Sequence, residues 1–504
     1  MAKFSNARAT GNSPLKTTET PDVTYEGAPA FRFTDETELL LLAATNLVSE
    51  NSFYEHAAQR DIRYRKLIHQ VTRTNPAFIA GDDTRLGLAR YLRRNLKIRT
   101  ASLVMVAEYI KAGGPNGRTL VRDVLSRPDE PAELIGYWLQ TYGRVLPQPL
   151  KRGIADAIKT LYTPVTALKW DSKRHKIQFA DVIELTHPKG GPFFKYLLDA
   201  RHDRFDDIEQ FPLIARTKAL EELDAEERRS YVKENGMPQD WTWERFSGWI
   251  GEMDAAAWEA AIPGMGVMAL IRNLRNFDQA RISNEVVNQV IAKITDPQEV
   301  AASRIWPLNV MAAYKMSESD NYQRALGLTL DLTTKNMPLL EGSTLVLVDT
   351  SGSMATPISA RSKLQRCDAA AVMGAAIACK NNARLVAFDT DSTEVPYFGH
   401  SVLNIANAIN QWSHGGTNTF MAIHRHFKGE DRIIIITDDQ TATTYRWDSI
   451  RERKPFVHVF DLGGYGKASM EYGSGGQYVY GGFSDSLFSL MPILEMGGTA
   501  GWPF

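Results

Sequence analysis

A chain of 504 residues exceeds one ordinary domain and has room for about two to four. Hydrophobic residues make up 43% and charged residues 23%, with 58 Lys+Arg against 59 Asp+Glu, a balance that excludes a wholly disordered chain, a collagen and a polybasic nucleic-acid coat protein. Two cysteines, Cys367 and Cys379, permit neither a disulfide framework nor a zinc site built on Cys pairs, and this usage fits a reducing cytoplasm. The first twenty residues lack the apolar core of a signal peptide, and no later segment approaches the roughly twenty apolar residues that span a bilayer, so neither secretion nor membrane insertion is expected.

Residues 1–21 are rich in Thr, Ser, Asn and Gly and read as a flexible tail. From 22 to 340 apolar residues recur at helical spacing in short stretches, with few strand-like runs. Leu88, Leu92 and Leu96 form one stripe, and Arg90, Arg93, Arg94 and Lys97 lie off it. Thr100 is placed to cap a second helix that ends at the Gly113-Gly114-Pro115 stop. Further helix pairs are expected over 37–70, 131–161, 265–293 and 307–331. Many short helices with no long heptad run argue for stacked pairs, an α-solenoid with an extended concave surface. Charge is uneven along this part. Residues 60–127 hold 15 Lys+Arg against 5 Asp+Glu, whereas residues 200–260 hold 8 against 15, as a basic face for a polyanion requires, although two solvated helix surfaces satisfy the same count.

From residue 341 to 504 the pattern changes. Thr344–Val348 is a short apolar run, followed by a helical stretch over 364–380. The run 384–388 is a second strand, 402–412 and 418–427 are helices, and 433–436 and 456–460 are two more strands. A glycine-rich stretch then leads to a last short helix near 483–490. Strands alternating with helices and apolar on both faces specify a doubly wound parallel sheet, whose ligands bind at the carboxyl ends of the strands. At the end of the first strand stands Asp349-Thr350-Ser351-Gly352-Ser353, a D-x-S-x-S array whose three side-chain oxygens can converge on one hard cation. Thr417 and Asp438 follow at a loop and at a strand end. Oxygen donors without His or Cys suit a divalent cation, Mg2+ first, with Mn2+ or Ca2+ as alternatives. Asp349 in this position also fits a phosphatase nucleophile of the haloacid-dehalogenase type, but the general acid needed two residues later is Ser351, and no base is placed by spacing; an enzyme is not expected.

This array resembles the metal-ion-dependent adhesion site of von Willebrand factor A domains, D-x-S-x-S then Thr then Asp, with Asp439 where that family has Gly. Asp438 directly follows the strand and is taken as the metal-facing carboxylate. The helical part carries a second resemblance. Leu88–Thr100 looks like the "LA-YAR-x-x-LNIRT" stretch of the Ro autoantigen family, Asp181–Lys189 is similar to its "D-V-x-R-L-S-H-x-K", and Met268–Leu274 to its "M-A-L-x-R-N-L"; Tyr25–Ala30 echoes its N-terminal lead-in. A TROVE module followed by a von Willebrand A domain is the Ro order, and the chain is similar to Ro-like proteins of bacteria or phages.

The resemblance implies a ring-like α-solenoid of HEAT-like helix pairs over 22–340 and a Rossmann-like von Willebrand A domain over 341–504. It implies a non-catalytic, monomeric, cytoplasmic ribonucleoprotein component acting in RNA quality control. A basic outer surface would take small structured Y-like RNA, and the ring hole would take single-stranded 3′ ends of misfolded RNA, with a 3′-to-5′ exoribonuclease reached through the RNA. The residues it assigns to RNA are His187, Lys189, Arg93, Arg94, Lys97, Arg99, Arg272 and Asn273; Glu184 stands where the family has Arg. The competing reading is a protein-interaction scaffold in which both parts bind proteins.

Overall fold

A computed structural model of the chain describes residues 17–23, 29–45, 57–172, 175–204, 208–358, 363–397, 399, 401–412, 415–438, 455–462, 467–468, 477–481, 488, 490–496, 502 and 504. The tail expected over 1–21 lies mostly outside them, and from Thr17 its described part is a strand. The last helix expected near 483–490 also falls largely outside, as do Asp439 and most of the Tyr25–Ala30 segment. Two compact units form, one of residues 68–290 and one in which residues up to 67 come together with residues from 291 onward.

The unit 68–290 is helical throughout among the described residues. Successive short helices run Leu88–Arg94, Thr100–Lys111, Gly117–Val124, Glu130–Tyr142, Gln148–Leu161, Pro164–Trp170, Phe179–Thr186 and Pro192–Arg201, and continue to Val267–Ala280. Prolines at the first helical turns restart the chain with φ already set, at Pro131, Pro149, Pro164 and Pro192. Thr100 is itself the first residue of its helix rather than its cap. Neighbours pack closely: a Cβ built on Gly153 would lie 2.5 Å from Val121 Cβ and 2.7 Å from the Arg118 carbonyl, so only glycine lets Gln148–Leu161 cross Gly117–Val124. The stripe residues Leu88, Leu92 and Leu96 are all buried, as their spacing requires. Buried charge here meets partners. Glu108, fully shielded from solvent, receives hydrogen bonds from Tyr137 and Tyr142 and pairs with His69 Nε2 at 2.7 Å.

In the other unit, strands β1 (Thr17–Val23) and β2 (Pro29–Phe33) pair antiparallel, and β8 (Lys467–Ala468) adds to β2. The main sheet consists of β3 (Thr344–Asp349), β4 (Arg384–Phe388), β5 (Ser392–Glu394), β6 (Arg432–Thr437), β7 (Phe456–Asp461) and β9 (Gln477–Gly481), in the order β5-β4-β3-β6-β7-β9. All pairings are parallel except β4 with β5. β3 and β6 are buried along their whole length, which is why they read as unbroken apolar runs. Helix Arg366–Asn381 lies on β3, where a Cβ on Gly374 would sit 2.4 Å from Val348 Cγ2. Because the helix returns antiparallel to its strand, Arg366 starts at the carboxyl end of β3. Residues 297–333 form three helices that pack with this unit; Lys315 Nζ reaches Asp368 at 2.9 Å and Asp331 accepts the Val402 N–H at 2.8 Å. The compact unit thus begins before the change of pattern at residue 341. β9, hidden in a glycine-rich stretch, extends the sheet by one strand.

The C-terminal helix Met491–Met496 is pinned by charge. Glu495 accepts both Arg432 Nε and Nη2, and His458, fully buried on β7, bonds Glu495 at 2.8 Å and the Tyr480 hydroxyl at 2.7 Å. Burial lowers the His458 pKa below its usual 6.5, against the pull of Glu495. Burial also raises the Glu495 carboxyl, but the Arg432 and His458 hydrogen bonds outweigh it and hold the group below its usual value. Both groups therefore take up protons more readily in the unfolded chain, and the stability they contribute is complete above about pH 6.5 and lost as pH falls. The urea midpoint should fall between pH 7.5 and 5, with a shallower fall in His458→Gln. Glu495→Gln should cost about 3 kcal/mol at neutral pH by leaving Arg432 buried without its counter-charge.

Candidate cation site and nucleic-acid interface

The chain leaves β3 to form β4 on one side and β6 on the other, so the strand order reverses between β3 and β6, where open parallel sheets bind ligands. Asp349 ends β3, Asp438 follows β6, and Asp389 follows β4, three carboxylates at one sheet edge. Asp349 is fully buried; its Oδ1 accepts the Ser351 N–H at 2.8 Å and its Oδ2 the Thr437 hydroxyl at 2.5 Å. Ser351 and Ser353 hydroxyls lie 3.3 Å apart, which brings the array's oxygens to one side of the loop. Thr417 rides on a loop fixed at both ends: Gly415 N–H donates to Asp389 Oδ2 at 3.0 Å, Asn418 N–H donates to the Asp389 carbonyl at 2.8 Å, and the Gly415 carbonyl accepts the Gly352 N–H at 3.0 Å. The loop of Thr417 is thereby stitched to the loop of Ser351 and Ser353.

Electrostatics single out the same place. Burial, reinforced by the Asp438 charge and opposed by the Thr437 and Ser351 hydrogen bonds, pushes the Asp349 carboxyl up to about 7. Two carboxylates shielded from water repel each other until a cation joins them. The donor set fits a hard divalent ion: two carboxylates and hydroxyls, with no soft ligand. Among the described residues no three His, Cys, Asp or Glu side chains cluster as a metal site, so the donors here are two carboxylates with hydroxyls. Sequence reasoning missed three residues here. Asp389 holds the Thr417 loop, Thr437 orients Asp349, and the buried Arg366 places Nη1 3.5 Å from Asp438 Oδ2. A carboxylate directly after a strand was a usable signal for Asp389; none pointed to Arg366.

The residues expected to meet RNA divide into two groups. Arg93, at 9% exposure, donates to the fully buried Glu130, whose other oxygen caps the Ser126 and Arg127 N–H groups at 2.7 and 2.9 Å. Arg99 bridges Asp129 at 2.6 Å and Glu133 at 2.5 Å, and Arg90 pairs with Asp123 at 2.9 Å. Asn273 is buried, donating to the Ala269 carbonyl and accepting from Asn276. In Arg93, Arg99 and Asn273 the polar atoms are thus engaged within the protein. Arg94, half exposed and 3.9 Å from Asp123, and Lys97, His187, Lys189 and Arg272 lie on the surface. His187 closes helix Phe179–Thr186 in the left-handed region at φ 51°, a conformation uncommon for a side-chain-bearing residue that turns it and Lys189 outward.

Comparison with known proteins adds the following. Residues 227–338 match the family model of the TROVE domain. The fold is similar to that of the Ro (RSR) protein of Deinococcus radiodurans, with a TM-score of 0.65 and 16% identity, covering 92% of this chain and 100% of that one. No curated protein matches the sequence. The first finding places a TROVE segment in the chain, over the Met268–Leu274 motif, and the second bears out the fold class, a mostly helical part with an α/β sheet. No helix among the described residues is long and apolar enough to cross a membrane.

Two outcomes check the site. Millimolar Mg2+ should stabilise the chain by about 2.7 kcal/mol at a hundredfold excess over Kd, read as a higher melting temperature, and should leave Asp349→Asn unmoved. Arg93→Ala and Glu130→Ala should each lose about 3 kcal/mol in urea denaturation without any RNA present.

Proposed function

We propose that this Ro-like chain is a non-catalytic RNA-binding protein. It binds small structured Y-like RNA on a basic surface and single-stranded 3′ ends of misfolded RNA, and uses a divalent cation, Mg2+ before Mn2+ or Ca2+, at Asp349, Ser351, Ser353, Thr417 and Asp438. The observation that carries the reading is the TROVE segment at 227–338 within a chain whose fold resembles a Ro protein over nearly its whole length. The exposed cations Arg94, Lys97, Lys189 and Arg272, with His187, are its phosphate-facing groups. They support backbone and shape readout rather than base readout, because among the described residues no recognition helix or aromatic strand pair accompanies them. The bound cation would supply an open coordination position for an acidic group of a partner. The chain acts in this reading as a cytoplasmic monomer in RNA quality control, with a 3′-to-5′ exoribonuclease reached through the RNA.

The pairing of Arg90, Arg93 and Arg99 with carboxylates favours a second reading, a scaffold that binds proteins through the helical repeats and the sheet domain. Electrophoretic binding of an RNA with a single-stranded 3′ tail, run across a salt series, separates them. The RNA reading expects log affinity to fall with log salt at about −0.7 per phosphate contacted. It also expects Arg94→Glu/Lys97→Glu and Lys189→Glu each to weaken binding by about tenfold or more, since each places a negative charge where a phosphate is held. Absence of binding at low salt, or equal binding by both variants, would sink it.

A further inference from the structure

Three helices of the unit 68–290 carry outward-facing cations that shared carboxylates join into one surface. Arg94 on Leu88–Arg94, Arg118 and Arg122 on Gly117–Val124, and Lys159 on Gln148–Leu161 are each about half exposed. Asp123 pairs with Arg122 at 2.8 Å, with Arg90 of Leu88–Arg94 at 2.9 Å, and stands 3.9 Å from Arg94. Asp156 pairs with Arg118 of Gly117–Val124 at 2.6 Å and with Lys159 of its own helix at 3.2 Å. Arg90 and Arg94 are four residues apart, as are Arg118 and Arg122, the spacing that puts two side chains on one helix face.

Cations outnumber carboxylates on these helices. Apart from Arg93, which Glu130 engages, the three hold seven Lys+Arg against Asp123 and Asp156. The loop before the first of them adds Asp82 and Asp83 against Arg85, and Lys97 follows that helix, so the excess stays positive. Carboxylates of neighbouring helices meet their own partners: Glu108 meets two tyrosines and His69, Glu133 meets Arg99, and Asp181 meets Arg201. Packed helices stand about 8–10 Å apart, so the cations make a broad face rather than a single line. These helices offer no ring on which an unstacked base could lie, because their one aromatic residue, Tyr91, is buried.

We infer that the face built by Arg94, Arg118, Arg122 and Lys159 takes double-stranded RNA through its phosphates, with single strands left to the surface of His187 and Lys189. The inference deepens the RNA-binding reading and rests on it. A duplex keeps its bases stacked inside and offers phosphates and 2′-hydroxyls, which suits an array of exposed guanidiniums. A single strand draws much of its affinity from stacking on aromatic rings, which these helices do not provide. Asp123 and Asp156 hold the cations in place and compete with the phosphates for them, so they temper the affinity.

Electrophoretic binding of a blunt RNA hairpin and of an unstructured oligouridine to the intact chain, each across a salt series, tests this. Arg118→Gln/Arg122→Gln/Lys159→Gln should weaken hairpin binding by roughly tenfold or more and lower its salt slope by about one per cation removed. Oligouridine binding by the same variant should change by less than about threefold. Asp156→Asn, which removes a carboxylate from the face, should tighten hairpin binding by about threefold, whereas a carboxylate that only braces two helices would give no gain. The duplex face is overturned by equal hairpin affinity in wild type and the triple variant, by oligouridine weakened as much as the hairpin, by no gain in Asp156→Asn, or by a wild type that binds oligouridine alone. Each of these results leaves the RNA-binding reading standing. Failure of wild type to bind either RNA at low salt overturns the reading and the inference together.

Discussion

A carboxylate taken out of water must meet a cation or several hydrogen-bond donors, and this constraint organises both units of the protein. Glu108 meets two tyrosines and a histidine, Glu130 meets Arg93 and two backbone N–H groups, and Glu495 meets Arg432 and His458. Each of these is matched within the chain. Asp349 and Asp438 differ in being two neighbouring buried carboxylates, with the Ser351 and Thr437 donors on Asp349 and the Arg366 guanidinium 3.5 Å from Asp438. That closeness of like charges is the physical support for the cation site proposed at the sheet edge.

The same constraint decides what the basic stretch of the helical unit does. Most of its guanidiniums near Arg90 are engaged by Asp123, Asp129, Glu130 and Glu133, where they tie one short helix to the next. Stacked helices of seven to fourteen residues have little cooperative stability alone and depend on such ties and on interlocked side chains. Exposed cations remain in the stretch, Arg94 and Lys97 among them, and Lys189 and Arg272 lie on the surface farther along the chain. A polyanion binding them would be read through its backbone, with affinity governed by salt.

The α/β part was legible because β3 and β6 are buried on both faces, so that Leu345–Val348 and Ile433–Ile436 cannot be mistaken for amphipathic helix. The adhesion-type array was legible because its members sit at strand ends. Arg366 was not: nothing in the spacing of a polar loop and a helix start tells that the first helical side chain turns back over the strand ends. The charge count over 60–127 left out part of the local balance. It stopped two residues short of Asp129, so the arginines were counted and three of their partners were not. β9 escaped notice because Tyr478, Val479 and Tyr480 stand among glycines that lower strand propensity. His187 was found only through a resemblance, and its left-handed backbone is visible only in the fold.

The account's central claim is that the buried carboxylates Asp349 and Asp438 are joined by a metal ion. Anomalous diffraction from crystals grown with Mn2+ addresses it directly. The account predicts a single strong peak within coordination distance of Asp349, Ser351 and Ser353, with Thr417 and Asp438 in the surrounding shell. A map without a peak there at saturating Mn2+, with Arg366 swung between Asp349 and Asp438 as their shared counter-charge, would contradict it.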